Sequence, residues 1–195
     1  GHSCHLYMLH PPGGVVGGDH LDIRVAVDAD ASALITTPGA TKFYRSAQAT
    51  AVQQQSLMLA PGATLEWLPQ ENILFPGAKI HLHTKVEMAP ESRLIAWDLH
   101  SLGRPAIAEA FLSGEADIGL DVLRDGIPMQ KERLRIRGES DLQGAAGLRG
   151  QPVIGTMLAS HCPAELLAGI RECLGDAPAA ATRIDDLLLV RYLGP

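Results

Sequence analysis

The sequence contains three similar stretches: Val27-Asp28-Ala29-Asp30-Ala31-Ser32-Ala33-Leu34, Leu59-Ala60-Pro61-Gly62-Ala63-Thr64-Leu65 and Met88-Ala89-Pro90-Glu91-Ser92-Arg93-Leu94. Each joins two strand-like segments through a tight turn, and Pro61-Gly62 has the residue types of a type II turn. The closing leucines, Leu34, Leu65 and Leu94, recur at intervals of 31 and 29 residues. Strands with such a period predict stacked β layers, either an irregular β-helix-like stack or a sandwich. Three ordinary hairpins that resemble one another by chance would give the same pattern.

Strand periodicity extends outward from these turns. Apolar and polar residues alternate from Leu21 to Val27, and Ile80, Leu82, Val86 and Met88 occupy the even positions of a later segment. Alternation with a period of two predicts strands with one buried face. Asp125-Gly126 predicts a hairpin turn before a charged strand over 129–137. The sequence therefore predicts a mainly β fold.

Helix signals are confined to the C-terminal part. Pro163 to Leu174 combines a proline suited to a first helical turn, an apolar stripe and a terminal glycine, Gly175, which predicts a helix. Strand-like segments at 153–158 and 187–192 flank it, so we expect a small β-α-β appendix. The polar, glycine-rich segment 139–150 is expected to be a mobile loop.

Composition limits the class of protein. Of the 195 residues, 46% are hydrophobic and 4% aromatic, and the net charge is −6. The hydrophobic content predicts a packed aliphatic core, and the negative charge argues against nucleic-acid binding. Neither an apolar run long enough to span a membrane nor a signal-peptide pattern is present, and the three cysteines form no disulfide framework. We therefore expect a cytoplasmic protein without membrane contact.

The chain begins with Gly1 and enters a strand-like segment almost at once, and its last residues, 187–192, also have a strand pattern. These features predict that 1–195 is a single domain that lacks N- and C-terminal parts.

A glycine-rich segment, His10 to Asp19, suggests a phosphate-binding loop. It lacks the Gly-Lys-Ser/Thr of a Walker loop and leads into a strand rather than a helix, so no helix N-terminus is available for phosphate. We expect its glycines to allow tight turns or close packing against another chain.

Catalytic motifs are missing, and metal ligands are sparse. The sequence has no Gly-x-Ser-x-Gly elbow, and Cys162 is expected to be a buried structural thiol. His81 and His83 share the polar face of one strand and could hold a transition-metal ion, although a solvated histidine pair is the alternative.

Isolated carboxylates are the other candidates. Asp98 lies in Leu94-Ile95-Ala96-Trp97-Asp98-Leu99, an otherwise apolar strand, and Glu66 and Glu109 have similar settings. A carboxylate there is costly unless it is paired, solvated or functional. Arg104 is a candidate partner for Asp98. These acids could line a polar channel or form buried ion pairs.

Four segments in order along the chain resemble one family. They are His5 to Asp19, Thr37 to Ser46, Leu65 to Ala78, containing Leu65-Glu66-Trp67-Leu68-Pro69-Gln70-Glu71, and Trp97 to Phe111, containing Trp97-Asp98-Leu99 and Leu102-Gly103-Arg104-Pro105. They are similar to the signatures of the urease accessory protein UreD, called UreH in some bacteria. The first 111 residues carry most of this specificity, and the remainder matches in pattern only.

The resemblance implies a maturation factor rather than an enzyme. Proteins of this family bind apo-urease and recruit UreF, which docks the GTPase UreG, and the complex delivers nickel to urease. The family fold is a stack of strands with two helices. An internal polar tunnel proposed for the family would correspond here to Asp19, Thr41, Glu66, Asp98 and Glu109, with nickel in transit and no tightly bound cofactor.

Two alternatives remain at this point. One is a β-rich, metal-dependent hydrolase that uses Asp98, Glu66 and histidines, which requires these groups to converge in one closed pocket. The other is a plain protein-interaction module. The resemblance favours a urease accessory scaffold, and a continuous polar path through the protein would separate it from the interaction module.

Overall fold

A computed structural model describes residues 3–10 and 13–195. The chain is mainly β, with 54% of residues in strands and 9% in helices, as predicted. The strands are β1 Cys4–Tyr7, β2 His20–Val27, β3 Ser32–Thr36, β4 Thr41–Phe43, β5 Ala51–Leu59, β6 Thr64–Leu68, β7 Asn72–Leu74, β8 Lys79–Met88, β9 Arg93–Arg104, β10 Glu109–Ala110, β11 Glu115–Arg124, β12 Ile127–Ile136, β13 Val153–Ala159, β14 Ala179–Ile184 and β15 Leu187–Gly194. The helices are α1 Glu139–Gln143 and α2 Leu166–Leu174.

The three repeated turns generate a β-solenoid-like stack. In each repeat the strand before the turn joins one sheet and the strand after it joins the other. The smaller sheet has the order β12-β11-β8-β5-β2, and the larger sheet follows β1-β3-β6-β9-β13-β15-β14. Successive repeats pair in parallel: β2 pairs with β5 and β5 with β8 in the smaller sheet, and β3 pairs with β6 and β6 with β9 in the larger sheet. The period seen in the sequence is thus the number of residues that form one layer of the stack.

The register corrects one detail of the repeat. Val27, Leu59 and Met88 pair across the smaller sheet, but Leu65 pairs with Leu94 on one side and with Ala33, not Leu34, on the other. All three turns are the same length, so Ala33 is the equivalent residue. Leu34 is one position further along and therefore faces the opposite side of the sheet.

Apolar residues fill the space between the sheets in two separate clusters. One contains Leu57, Leu65 and Val86 near the turns, and the other contains Phe43, Leu74 and Leu102 near the opposite end. Both are mainly aliphatic, as the composition predicts. What separates them is a layer of polar side chains, described in the next subsection.

The C-terminal part extends the larger sheet rather than forming a separate appendix, because β13 pairs with both β9 and β15. Helix α2 packs over β14 and β15 and begins at Leu166, three residues later than the predicted Pro163. The strand β14 was not predicted. The predicted mobile loop over 139–150 contains α1, and Leu148 there is 5% exposed. This leucine packs in the apolar cluster that contains Phe43, so the segment is anchored to the core at one residue.

Candidate functional site

A layer of buried polar residues crosses the interior between the two apolar clusters. We call it the polar belt. It consists of the buried Gln53 and Gln55 on β5, Asn72 on β7, Thr84 on β8 and His100 on β9, together with the partly buried Asp98 on β9. Thr84 Oγ1 donates to Gln55 Oε1 at 3.3 Å. In a core of aliphatic residues, such a layer loses hydrophobic stabilisation at every strand it crosses. The layer is therefore the candidate functional site of the described residues.

Asn72, Asp98 and His100 form the centre of the belt. Asn72 Nδ2 lies 3.4 Å from Asp98 Oδ1 and 3.5 Å from His100 Nδ1. His100 Nε2 lies 3.3 Å from Asp98 Oδ2. These contacts are longer than the usual 2.7–3.2 Å of a strong hydrogen bond. The three side chains are therefore close but only loosely joined.

Cavities lie on two sides of this centre. The larger, of about 650 Å³, is lined by Asn72, Gln53 and Gln55 together with Thr41. The smaller, of about 220 Å³, is lined by Asp98 and His100. The Asn72–Asp98–His100 group therefore stands between two spaces large enough for water or a hydrated ion.

A second carboxylate, Glu132 on β12, lines the smaller cavity. It lies opposite Leu120 in the pairing of β12 with β11 and so shares the inward face. Its Oε1 accepts hydrogen bonds from Arg191 Nε at 2.7 Å and Gln130 Nε2 at 2.9 Å. Glu132, Asn72 and His100 were not among the residues chosen from the sequence.

Two of the five predicted path residues reach these spaces. Thr41 pairs with Asn72, which pairs with His100, so the three form one row across the larger sheet. Asp98 follows in the next inward position of β9. Thr41 lines the larger cavity and Asp98 the smaller.

The other three lie elsewhere in the fold. Asp19 accepts a hydrogen bond from the Val16 N–H at 2.9 Å within the glycine-rich segment. Glu66 sits between Leu34 and Ile95 on the outer face of the larger sheet. Glu109 forms a two-point ion pair with Arg104. Nothing in the geometry joins these three to the belt.

Arg104 is not the partner of Asp98. It pairs with Glu109, with Nε–Oε2 and Nη2–Oε1 distances of 2.6 and 2.9 Å. The hydrogen bonds from Arg104 lower the pKa of the Glu109 carboxyl. Arg104 lies six residues after Asp98 at the end of the strand, whereas the turn over 105–107 brings Glu109 back beside it.

His81 and His83 lie on the outer face of the smaller sheet, each beside a carboxylate. His81 Nδ1 is 3.9 Å from Asp117 Oδ2, and His83 Nε2 is 3.4 Å from Asp121 Oδ2. Across residues 3–10 and 13–195, no three or more His, Cys, Asp or Glu residues are grouped so that they could hold a metal ion. Any metal binding in that part would rest on fewer of these ligands or on other oxygen donors.

The glycine-rich segment packs against the same chain. A Cβ on Gly17 would lie 2.0 Å from Ser46 Oγ and 2.5 Å from the Ala49 carbonyl oxygen. Close approach therefore requires glycine at this position. Pro11 and Pro12 of the segment lie outside the described residues. The segment leads into β2, as predicted, and Cys162 is buried, also as predicted.

The described helices include none that is both long and apolar enough to cross a membrane. The fold and its interior define a class: a β-solenoid-like protein whose candidate site is an internal polar layer between two cavities.

Comparison with known proteins identifies the family. The family model described as UreD urease accessory protein matches residues 1–195. Proteins named urease accessory protein UreD are similar to this chain: that of Alcanivorax borkumensis is 45% identical over 196 residues, covering 98% of this chain and 67% of the relative. Those of Citrobacter koseri and Klebsiella aerogenes are 50% and 47% identical, covering 98% of this chain and 66% and 70% of their own lengths. The chain belongs to the UreD family of urease accessory proteins, and it spans about two thirds of the length of these relatives.

Proposed function

We propose that this protein is a non-enzymatic scaffold of urease maturation that acts in the cytoplasm. It binds apo-urease and UreF, and through UreF the GTPase UreG, while nickel passes through its polar belt. Membership of the UreD family supports the urease-related role. The observation that carries the nickel path is the Asn72–Asp98–His100 group between two cavities.

The chemistry of the belt suits an ion in transit. Carboxylate, amide and hydroxyl oxygens bind divalent ions weakly enough to exchange them, whereas a cage of several thiolates and imidazoles would retain nickel. Asp98 supplies negative charge in the interior, and its long contacts leave its oxygens available to an ion. Thr41 on the side of the larger cavity extends this path of oxygen atoms. Glu132 lines the smaller cavity, but its charge is compensated by Arg191.

The proposal is tested by replacing Asp98 with Ala in cells that express the urease operon. We expect urease and UreF to co-purify with Asp98→Ala as with the wild type, because the side chain is 16% exposed and lies inside the stack. Urease activation should fall by about tenfold or more, since removal of a metal-path carboxylate removes a charged ligand. Glu91→Ala, at an exposed turn position, is the matched control and should activate urease normally.

Two results would contradict the proposal. Failure of both urease and UreF to co-purify with the wild-type protein would remove the scaffold role. Normal urease activation by Asp98→Ala, with binding retained, would leave a plain interaction module. The hydrolase alternative gains nothing from the geometry, because Glu66, His81 and His83 lie on outer faces and do not converge with Asp98.

A further inference from the structure

We infer that His100 is a nitrogen ligand for nickel and makes the polar belt selective for this ion over magnesium. The inference rests on the proposed function, because it assigns a ligand to the same path. His100 is the one histidine in the described part of the chain that is buried, with its side chain 5% exposed. Its imidazole faces Asn72 through Nδ1 and Asp98 through Nε2.

The spacing of two atoms fits one ion. His100 Nε2 and Asp98 Oδ2 are 3.3 Å apart. Two adjacent ligands of an octahedral ion, each about 2.1 Å from the metal, are roughly 3.0 Å from each other. A movement of a few tenths of an ångström would therefore place an ion between these atoms. The contact between them is long, so little hydrogen-bond energy opposes this movement.

Ligand chemistry explains why a nitrogen matters here. Carboxylate and amide oxygens alone favour magnesium, calcium and manganese, whereas imidazole favours nickel, copper and zinc. Oxygen atoms of Asp98, Asn72 and Thr41 would give a path open to the abundant hard cations. One imidazole at the centre of the belt biases the path toward nickel, and a single nitrogen does not prevent release.

Isothermal titration with NiCl2, alone and in excess MgCl2, tests the assignment on the intact protein. The variants are His100→Gln, which keeps a polar side chain but removes the imidazole, Asp98→Asn, and His20→Gln as a matched control at an exposed histidine. We expect His100→Gln to weaken nickel binding on the order of tenfold and more in excess magnesium. Asp98→Asn should weaken binding of both ions, and His20→Gln should match the wild type.

The outcomes separate this inference from the proposed function. Nickel binding that is lost in Asp98→Asn but unchanged in His100→Gln would overturn the role of His100 and leave the nickel path in place. Binding unchanged in both variants would overturn both. If His100→Gln does not fold, X-ray absorption of wild-type protein loaded with one equivalent of nickel decides: we expect imidazole scattering, and its absence overturns the inference.

Discussion

Two of the aspartate–histidine pairs in this protein have similar composition and different surroundings. In the belt, Asp98 and His100 meet at 3.3 Å, and no Lys or Arg of the described residues lies within 4 Å of the Asp98 carboxylate. The second pair belongs to what we call the turn clasp, formed by Arg124, His161, Asp186 and the Ser92 carbonyl. There His161 Nδ1 lies 3.2 Å from Asp186 Oδ2, and Arg124 Nη1 donates to Asp186 Oδ1 at 2.6 Å.

The difference predicts a structural role for the clasp and agrees with the role proposed for the belt. The clasp joins the ends of four chain segments. Its histidine–aspartate distance is close to that of the belt, but Arg124 compensates the charge of Asp186 at 2.6 Å, and His161 Nε2 is 2.9 Å from the Ser92 carbonyl oxygen. In the belt, Asp98 has no arginine or lysine partner among residues 3–10 and 13–195, and the contacts of the Asn72–Asp98–His100 group measure 3.3 to 3.5 Å. Groups that hold a fold together make short, neutralised contacts, whereas groups that must exchange a partner keep theirs weak.

The largest expected effect on stability distinguishes the two aspartates. Asp186→Asn leaves Arg124, whose side chain is 18% exposed, without its counter-charge, and should lower the free energy of unfolding by about 2 kcal/mol or more. Asp98→Asn removes an uncompensated charge and weak contacts, and should change it by less than about 1 kcal/mol. Urea unfolding followed by circular dichroism measures both, and equal losses would remove the distinction.

The pH dependence of stability sharpens the same comparison. Burial acts to raise the pKa of Asp186, but the hydrogen bond and charge of Arg124, with the charge of His161, lower it further, so the pKa lies below its ordinary value. The unfolded chain has an aspartate pKa of about 3.9, so between that pH and the lower folded-state pKa it binds more protons than the folded protein. The contribution of the Asp186 charge to stability is therefore fully present above about pH 4 and is lost as the pH falls through the folded-state pKa.

Urea unfolding of the wild type and Asp186→Asn between pH 7 and pH 3 measures this contribution. The difference in stability between them should be close to its full value at about pH 5 and shrink below about pH 4. Subtracting the two curves also removes the contributions of Asp117 and Glu109, whose pKa values are lowered by hydrogen bonds from arginines. A difference that stays constant to pH 3 would show that the Asp186 charge does not stabilise the fold.

The stack and one belt residue, Asp98, could be predicted from the sequence because both give local signals. Strand periodicity and repeated turns are local signals, and Asp98 interrupts the apolar inward positions of β9. Continuing that alternation two residues further reaches His100, so this histidine could have been found. Thr84 likewise interrupts Ile80, Leu82, Val86 and Met88 in β8. In each case the signal was a polar residue at the expected apolar position.

The remaining site residues depend on pairing that the sequence does not contain. Asn72 lies in a strand of three residues, too short to show a period. Glu132 lies in a charged strand, and only its pairing opposite Leu120 shows which face it takes. Glu66 and Glu109 had the same sequence signal as Asp98. The alternation of side chains along β6 places Glu66 on the outer face, and the tight turn after β9 pairs Glu109 with Arg104.

The smallest expected effect comes from one exchange made in opposite directions on one strand. Thr84 in the belt and Val86 in the adjacent apolar cluster share the inward face of β8 and are 7% and 0% exposed. Val86→Thr buries a hydroxyl among aliphatic side chains and should lower stability by about 1–2 kcal/mol. Thr84→Val loses only the 3.3 Å bond to Gln55, and its apolar gain should keep the change within about 1 kcal/mol.

Activation of urease then separates stability from function in this pair. Thr84→Val should retain its fold and partner binding yet activate urease less well than the wild type. The loss should be smaller than for Asp98→Ala, because the exchange removes one hydroxyl from the belt and leaves the Asp98 charge in place. Val86→Thr should lose activation only in proportion to the loss of folded protein. If Thr84→Val is destabilised as much as Val86→Thr, the belt is a structural layer. The Thr84 hydroxyl would then stabilise the fold as much as the Val86 side chain does.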